Sequence, residues 1–306
     1  MKSDLVSIAD LSDQQIEAYL QLASKIESTP DRDKGQLLVG KLLMVLFFEP
    51  STRTRLSFEA AMKKLGGAVA GFSETAATSM AKGESFLDTI KTTEQYGDAL
   101  VIRHPQEGAA RLAAERSRLP VINAGDGANQ HPSQTLLDLF TIQKLFRRLD
   151  HLKIALVGDL RYSRTVYSLL HALRRREGNQ FLLVSPPILK LAPHIQVVAP
   201  GESVTFRETT DLNEAVRECD IIYMTRIQKE RFGDLVEYES VKDAYVLDAA
   251  MLKQGQEQLR VLHPLPRVTE ISPDVDDTRF ASYFDQARNG LIVRQAILLR
   301  LLGGVL

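Results

Sequence analysis

Two hydroxyl residues and two arginines crowd the stretch EPSTRTR at 49–55, where an apolar run gives way to a segment of helical period. A helix starting there leaves the backbone N–H groups of Ser51 to Thr54 without intrahelical acceptors, at the positive end of the dipole. Such a place attracts phosphate. The Ser51 and Thr52 hydroxyls add donors, and Arg53 adds a planar fork that matches phosphate oxygens. A plain capping serine followed by solvated arginines fits the same residues, and local features do not separate the two readings. A nucleotide is disfavoured. No Gly-x-x-x-x-Gly-Lys-Ser/Thr occurs, and VGDLRYSRT at 157–165 lacks the second and third glycines of a dinucleotide fingerprint.

Other residues invite chemistry of the same kind. Arg103 closes an apolar run, where ligands of open parallel sheets gather, or else it is a surface arginine paired with Glu107. His131 precedes Pro132 and is expected at a helix N-terminus, where the dipole disfavours imidazolium and a neutral ring can donate to a carbonyl. Gln134 lies three residues on, roughly on the same face. A capping histidine with a solvent-facing glutamine is the plainer alternative. Arg226 and Gln228 stand two apart after DIIYMT and project to one side of an extended chain. Arg164 opens a helix after VGDLRYS, a natural position for a carboxylate. Glu49, Asp159 and Glu230 either orient these arginines or form ordinary surface ion pairs. In HPLPR at 263–267 the prolines leave the carbonyls of Leu265 and Pro266 able to accept, and Leu265–Pro266 is a candidate cis bond, or the segment is simply a tight turn.

These residues need a scaffold, and the apolar runs supply one. Segments 42–48, 68–72, 99–103 and 120–124 read as buried parallel strands, with helices at about 11–27, 52–65, 84–96 and 107–117. A second series begins after residue 150, with strands in KIALVGD, QFLLVS, SVTF, DIIYMT and AYVLD. The expectation is an α/β protein of two doubly wound domains with mainly parallel sheets, joined by helices. Ser133 to Arg148 is the expected join, Gln286 to Leu302 a final helix, and the proline-bearing 185–203 irregular surface. SETAATSMAKGES at 73–85 has little core to hold it and reads as a mobile loop or a linker.

With 306 residues, 44% hydrophobic, 25% charged and a net charge of −1, the chain is a globular protein with no global pull toward nucleic acid or an anionic membrane surface. Any anion site must be local. The N-terminal MKSDLVSIAD lacks the core of a signal peptide, and the apolar run Leu42 to Phe48 is too short to span a bilayer, so a cytoplasmic location is expected. The single cysteine, Cys219, is expected to be a small buried residue; it has no thiol partner for a disulfide or a zinc site.

STRTR at 51–55, RHPQEGAARLA at 103–113, NAGDGANQHPSQTLLDL at 123–139, TRIQKERF at 225–232 and HPLPR at 263–267 together resemble the catalytic chain of aspartate carbamoyltransferases, in order over nearly the whole length. That family moves a carbamoyl group from carbamoyl phosphate to the amine of L-aspartate, giving N-carbamoyl-L-aspartate and phosphate, early in pyrimidine biosynthesis. The resemblance implies that Ser51, Thr52, Arg53 and Thr54 hold the phosphate, and that Thr54, Arg103 and His131 stabilise the carbonyl oxygen as it becomes tetrahedral. Histidine and Gln134 then grip the carbamoyl oxygen and nitrogen together, with the carbonyls of Leu265 and Pro266 accepting from the amide. Arg164, Arg226, Gln228 and Lys82 are implied for aspartate, and Ser79 and Lys82 would reach into the site of a neighbouring subunit of a homotrimer. Domains follow: 1–132 with 285–306 for carbamoyl phosphate, 133–284 for aspartate, closing on the bound substrates. No metal or cofactor is implied. Family members act as bare trimers or with a zinc-bearing regulatory chain or a dihydroorotase.

Three positions depart from the family pattern: Ser133 for threonine, Ser163 for glycine and Tyr167 for histidine, the last two flanking Arg164. The lysine loop is also one residue shorter than in some members. Ornithine carbamoyltransferase shares the phosphate motif but usually carries a cysteine near the last motif, where this chain has HPLPR. Two arginines for the second substrate favour a dicarboxylate. A noncatalytic phosphate-ligand sensor on the same fold is the rival of another class; Thr54, Arg103 and His131, all present, speak against it.

Overall fold

The apolar run before Ser51 forms a central strand, β1 (Leu42–Phe47), because all but its first residue are fully buried. It pairs in parallel with β2 (Ala68–Phe72) on one side and β3 (Ala99–His104) on the other, and β4 (Val121–Asp126) follows β3. Helices α1 (Asp13–Ser28) and α2 (Asp31–Lys34) precede β1, while α3 (Thr52–Lys64), α4 (Phe86–Thr93) and α5 (Ala109–Arg116) connect successive strands. A capping box between Ser12 and Gln15 starts α1. The sheet order β2-β1-β3-β4 places β2 and β3 on opposite sides of β1. The connections therefore diverge at the carboxyl ends of β1 and β3, the switch point where open parallel sheets hold ligands.

This computed structural model describes residues 2–73, 79–229, 232–304 and 306, with the backbone alone at 79 and 80. The chain divides into two compact units, Met1–Thr141 with Arg288–Leu306, and Ile142–Ala287. It passes between them within two helices, α6 (Pro132–Phe146) and α11 (Tyr283–Leu302).

In the second unit β5 (Lys153–Val157), β6 (Gln180–Val184), β7 (Thr205–Thr209), β8 (Ile221–Met224) and β9 (Arg260–Leu262) form a parallel sheet in the order β7-β6-β5-β8-β9. Its helices are α7 (Arg164–Leu173), α8 (Leu212–Glu218), α9 (Leu235–Val241) and α10 (Ala249–Leu252). Val157, Val184, Ile222, Met224 and Val261 from the strands pack with Leu212, Val216 and Leu252 from α8 and α10 and with the buried Cys219. Here the connections diverge between β5 and β8.

Two doubly wound parallel sheets are thus as expected, and two strands are not. AYVLD at 244–248 touches strand-like structure only through a single bridge from Leu247 to Ile271, and the edge of the sheet is taken instead by Arg260–Leu262. Val246 is exposed, so the run buries every other residue rather than all of them. A strand of three residues is too short to stand out as an apolar run. The strand expected over SVTF begins at Thr205 and runs on to Thr209, because an edge strand half open to solvent accepts Arg207 and Glu208. Of 73–85, residues 74–78 lie outside the described ones, and Ser79–Lys82 form a short 3-10 helix.

Candidate active site

The loop from β1 delivers Ser51 as the N-cap residue of α3, with Thr52, Arg53 and Thr54 in its first turn. The Ser51 side chain makes no capping hydrogen bond, and the first turn holds no acidic residue. Ser12, Ser85, Asp211, Asp234 and Asp248, by contrast, all cap their helices through their side chains. The dipole and the leading N–H groups of α3 are thus unneutralised from within, as an anion site requires. Ser51 is half-buried, Thr52 and Arg53 are exposed, and Thr54 is buried.

Arg103 sits at the carboxyl end of β3, in register with Phe47 of β1. It is 8% exposed. Nη1 donates to the Ala124 carbonyl at the end of β4 (3.2 Å), and Nη2 donates to Glu49 Oε1 (3.0 Å). Its carboxylate partner is therefore Glu49, two residues before the phosphate-type helix start, and not Glu107. A surface arginine is replaced by one clamped between the ends of β1 and β4.

His131 follows β4 through a loop shaped by Asp126. That buried carboxylate accepts from Asn123 Nδ2 (2.8 Å), Gly108 N (2.9 Å), Asn129 Nδ2 (3.0 Å) and Gln130 N (3.1 Å). Gly127 turns at φ +54°, and a Cβ there would come within 2.6 Å of Glu107 Cγ. The His131 carbonyl accepts the N–H of Thr135 (3.1 Å), so His131 occupies the N-cap position of α6, as Pro132 foretold. Its ring is buried with Nδ1 3.3 Å from Ser133 Oγ. Gln134 is also buried, and its Nε2 donates to Asp138 Oδ1 (2.9 Å). It is thus not the solvent-facing glutamine of the plainer alternative. All these residues of the first unit lie at or just beyond the carboxyl ends of β1, β3 and β4.

The second unit repeats the arrangement at its own switch point. After β5, Gly158 at φ +108° lets the chain pass β8, since a Cβ would stand 2.3 Å from the Thr225 carbonyl oxygen. Asp159, wholly buried, accepts from the N–H groups of Arg161 (3.2 Å) and Tyr162 (2.9 Å) and bends the chain into α7. Arg164 is the first residue of that helix, whose opening turn holds no acid. The two departures beside it are accommodated. Ser163 has φ −83°, which any residue adopts, and its hydroxyl lies 3.0 Å from Thr165 Oγ1. Tyr167 donates its hydroxyl to the Arg161 carbonyl (2.7 Å) and braces the turn; burial, with Asp159 nearby, raises its pKa. Beyond β8, Arg226 and Gln228 are half-buried around the buried Ile227, the alternation of an extended segment.

Beyond β9, HPLPR forms a fixed turn with a cis Leu265–Pro266 bond. His263 Nδ1 accepts the N–H of Leu265 (2.7 Å), so the ring proton resides on Nε2 and is donated to Glu270 Oε1 (2.7 Å). The other oxygen, Oε2, accepts from Val268 N and Thr269 N (3.0 and 3.1 Å). Arg267 grips Asp276 with both terminal nitrogens. Lys82 is exposed at the end of its 3-10 helix; Glu230 lies outside the described residues. Among the described residues no group of three or more His, Cys, Asp or Glu could hold a metal ion, and no helix is long and apolar enough to cross a membrane.

Sequence reasoning passed over Asp126 and Asp138. The second had a signal: an acid within LLDLF, inside a helix of apolar residues, must find a partner or change its charge.

A phosphate-type helix start in one parallel sheet and arginines at the switch point of another define a two-domain transferase of anionic substrates. The chain belongs to the aspartate/ornithine carbamoyltransferase family: the model of its carbamoyl-P binding domain matches residues 3–144, and that of its Asp/Orn binding domain matches residues 150–301. Within that family it is similar to the aspartate carbamoyltransferase catalytic subunit of Thermococcus onnurineus, at 54% identity over 297 residues, covering 96% of this chain and 95% of that one. The Bacteroides fragilis catalytic subunit is 52% identical over 300 residues, covering 98% and 96%. Among solved structures, the catalytic subunit of M. jannaschii aspartate transcarbamoylase superposes with a TM-score of 0.91 at 47% identity, covering 99% and 98% of the two chains. The Trypanosoma cruzi aspartate transcarbamoylase in complex with carbamoyl phosphate and aspartate gives 0.91 at 38%, covering 97% and 96%.

Proposed function

We propose that this chain transfers the carbamoyl group of carbamoyl phosphate to the amine of L-aspartate, releasing N-carbamoyl-L-aspartate and phosphate. The reading rests on arginines at the switch points of both sheets: Arg103 at the end of β3, and Arg164 and Arg226 just beyond β5 and β8. Carbamoyl phosphate and the neutral-amine form of aspartate bring about four negative charges together, a repulsion that cations must offset. The Arg164 and Arg226 pair suits a dicarboxylate better than the ammonium-ended side chain of ornithine.

In the first unit, Ser51, Thr52, Arg53 and Thr54 hold the phosphate. Thr54, Arg103 and His131 donate to the carbonyl oxygen, which gains charge as the amine nitrogen bonds to the carbon. Gln134 takes the carbamoyl nitrogen, and the Leu265 and Pro266 carbonyls accept from the same amide. In the second unit, Arg164, Arg226 and Gln228 take aspartate, with Lys82. The carbon–oxygen bond to phosphate then breaks, and the leaving phosphate accepts the amine proton. No covalent enzyme intermediate is required; positioning and charge stabilisation do the work.

The residues divide as 1–132 with 285–306 for carbamoyl phosphate and 133–284 for aspartate. The relatives named catalytic subunits support an assembly. In this reading the chain forms a cytoplasmic homotrimer in which Ser79 and Lys82 complete a neighbour's site, and a regulatory chain or dihydroorotase is the further partner. Sizing of the purified chain, alone and with cell extract, tests the assembly. Purified chain given carbamoyl phosphate with aspartate or with ornithine tests the reaction: carbamoylaspartate with little citrulline is expected, and citrulline alone would overturn it.

A further inference from the structure

Arg294 of α11 is a buried arginine with no part in the mechanism above. It is 4% exposed, donates through Nη1 to Ser57 Oγ of α3 (2.8 Å), and lies over the Phe58 ring at 5.1 Å. Burial pushes its pKa down to about 10, against the opposing pull of the Asp138 carboxylate, so it is still a cation at neutral pH. One turn earlier on α11 stands Gly290, where a Cβ would come within 2.6 Å of Arg294 Nη1. Glycine inside a helix is unfavourable against alanine, so its place here follows from the room the guanidinium needs.

Asp138, wholly buried in α6, acts on that cation through its charge and accepts from Gln134 Nε2 at 2.9 Å. A cation nearby favours the carboxylate form of an acid, and a carboxylate oxygen can only accept. The end of the Gln134 amide turned toward Asp138 is its NH2. The carbonyl oxygen is left to face other groups, and an acceptor there suits a ligand that donates.

We propose that Asp138 and Arg294 are positioning residues that fix which end of the Gln134 amide meets the substrate, and so make the site select a carbamoyl over an acetyl group. The inference rests on the proposed reaction, in which Gln134 takes the carbamoyl nitrogen. A carbamoyl NH2 donates to the fixed Oε1; an acetyl methyl has no proton to give and leaves a buried acceptor unpaired. The phosphate, held by α3, is the same in both ligands.

The test compares binding of carbamoyl phosphate, acetyl phosphate and inorganic phosphate by calorimetry in the full chain. Asp138→Asn keeps the shape but offers Gln134 a donor as well as an acceptor, freeing the amide to turn over. It should weaken carbamoyl phosphate about tenfold, leave inorganic phosphate within about twofold, and cut the preference over acetyl phosphate about tenfold. In a Gln134→Ala background the same substitution should change carbamoyl phosphate binding by less than about twofold, because its effect passes through Gln134. Gly290→Ala, which crowds the guanidinium without removing charge, should lose about threefold of the preference and serves where Arg294→Met does not fold. Equal weakening of carbamoyl phosphate and inorganic phosphate, or a full effect of Asp138→Asn without Gln134, would overturn the proposal. Failure of the reaction itself would show separately, as no carbamoylaspartate from the unaltered chain.

Discussion

Arg103→Gln removes a charge that the fold holds between two strand ends. In the parent, Nη2 lies 3.0 Å from Glu49 Oε1, and Nη1 lies 3.2 Å from the Ala124 carbonyl. At an effective dielectric constant of about 20, charges about 3 Å apart attract by about 5 kcal/mol before any desolvation is counted. Most of that returns when Glu49 is rehydrated, since its side chain is 27% exposed. The net loss of stability should be about 2 kcal/mol, which leaves the protein folded. The loss of a donor to the developing oxyanion is larger in its effect, roughly 100- to 1000-fold in turnover. Initial rates of carbamoylaspartate formation at saturating substrates, beside urea unfolding of the same preparation, separate the two. A folded variant with turnover within about threefold of the parent would refute the assignment of Arg103 to the chemistry, because loss of such a donor removes about 3 to 4 kcal/mol of transition-state stabilisation.

Gly127→Ala should destabilise by about 1 to 3 kcal/mol, from its φ of +54° and the clash with Glu107, and should slow turnover by displacing the His131 loop. Gly40→Ala, with φ +80° but nothing within 4 Å, should melt closer to the parent; equal melting temperatures for the two variants would contradict the contact argument. For Glu270, burial raises the carboxyl pKa, but the bonds from His263 and from turn N–H groups outweigh it and hold it below the ordinary 4.5. Its folded pKa is thus depressed, so its stabilisation is complete above about pH 4.5 and lost as pH falls through the folded value. Glu270→Gln should accordingly be less stable than the parent at pH 7, with the gap in urea midpoint narrowing at pH 3.5; a gap that widens in acid would rule this out. The Cys219 thiol, buried and pushed up to about 12, should ignore a disulfide reagent at pH 8 and react at once in denaturant, and fast labelling of the native protein would count against its burial.

Long apolar runs such as those of β1, β3 and β5 announced themselves because strands buried on both faces carry little but aliphatic side chains. Two edges were less plain: β9 is only three residues long and leaves no run to read, and β7 mixes Arg207 and Glu208 into its pairing, so the apolar SVTF marks only its beginning. Among candidate site residues, those placed by local grammar were legible: Ser51 before its helix and His131 before Pro132 both hold the N-cap positions the sequence suggests. Partners drawn from distant parts of the chain were not. Glu107, four residues from Arg103, was the nearer carboxylate in sequence, yet the guanidinium turns to Glu49 on the neighbouring strand connection. The four bonds into Asp126 and the meeting of Arg294 with Ser57 likewise depend on how strands and helices are brought side by side, which no spacing rule encodes.

The passage of the chain through α6 and back through α11 has a consequence for biosynthesis. On the ribosome, residues 142–287 emerge before Arg288–Leu306, which belong to the first unit. The nascent N-terminal half must therefore wait, with Leu137, which packs beside Gly290, uncovered, until the last helix arrives to carry Val293, Ala296 and Ile297 into its interior. The intervening lobe, contiguous in sequence, has no such delay and can mature first, reversing the usual N-to-C order of domain completion. A stalled or prematurely terminated chain would then present a finished second lobe beside an unfinished first one, the species that chaperones and proteases would meet.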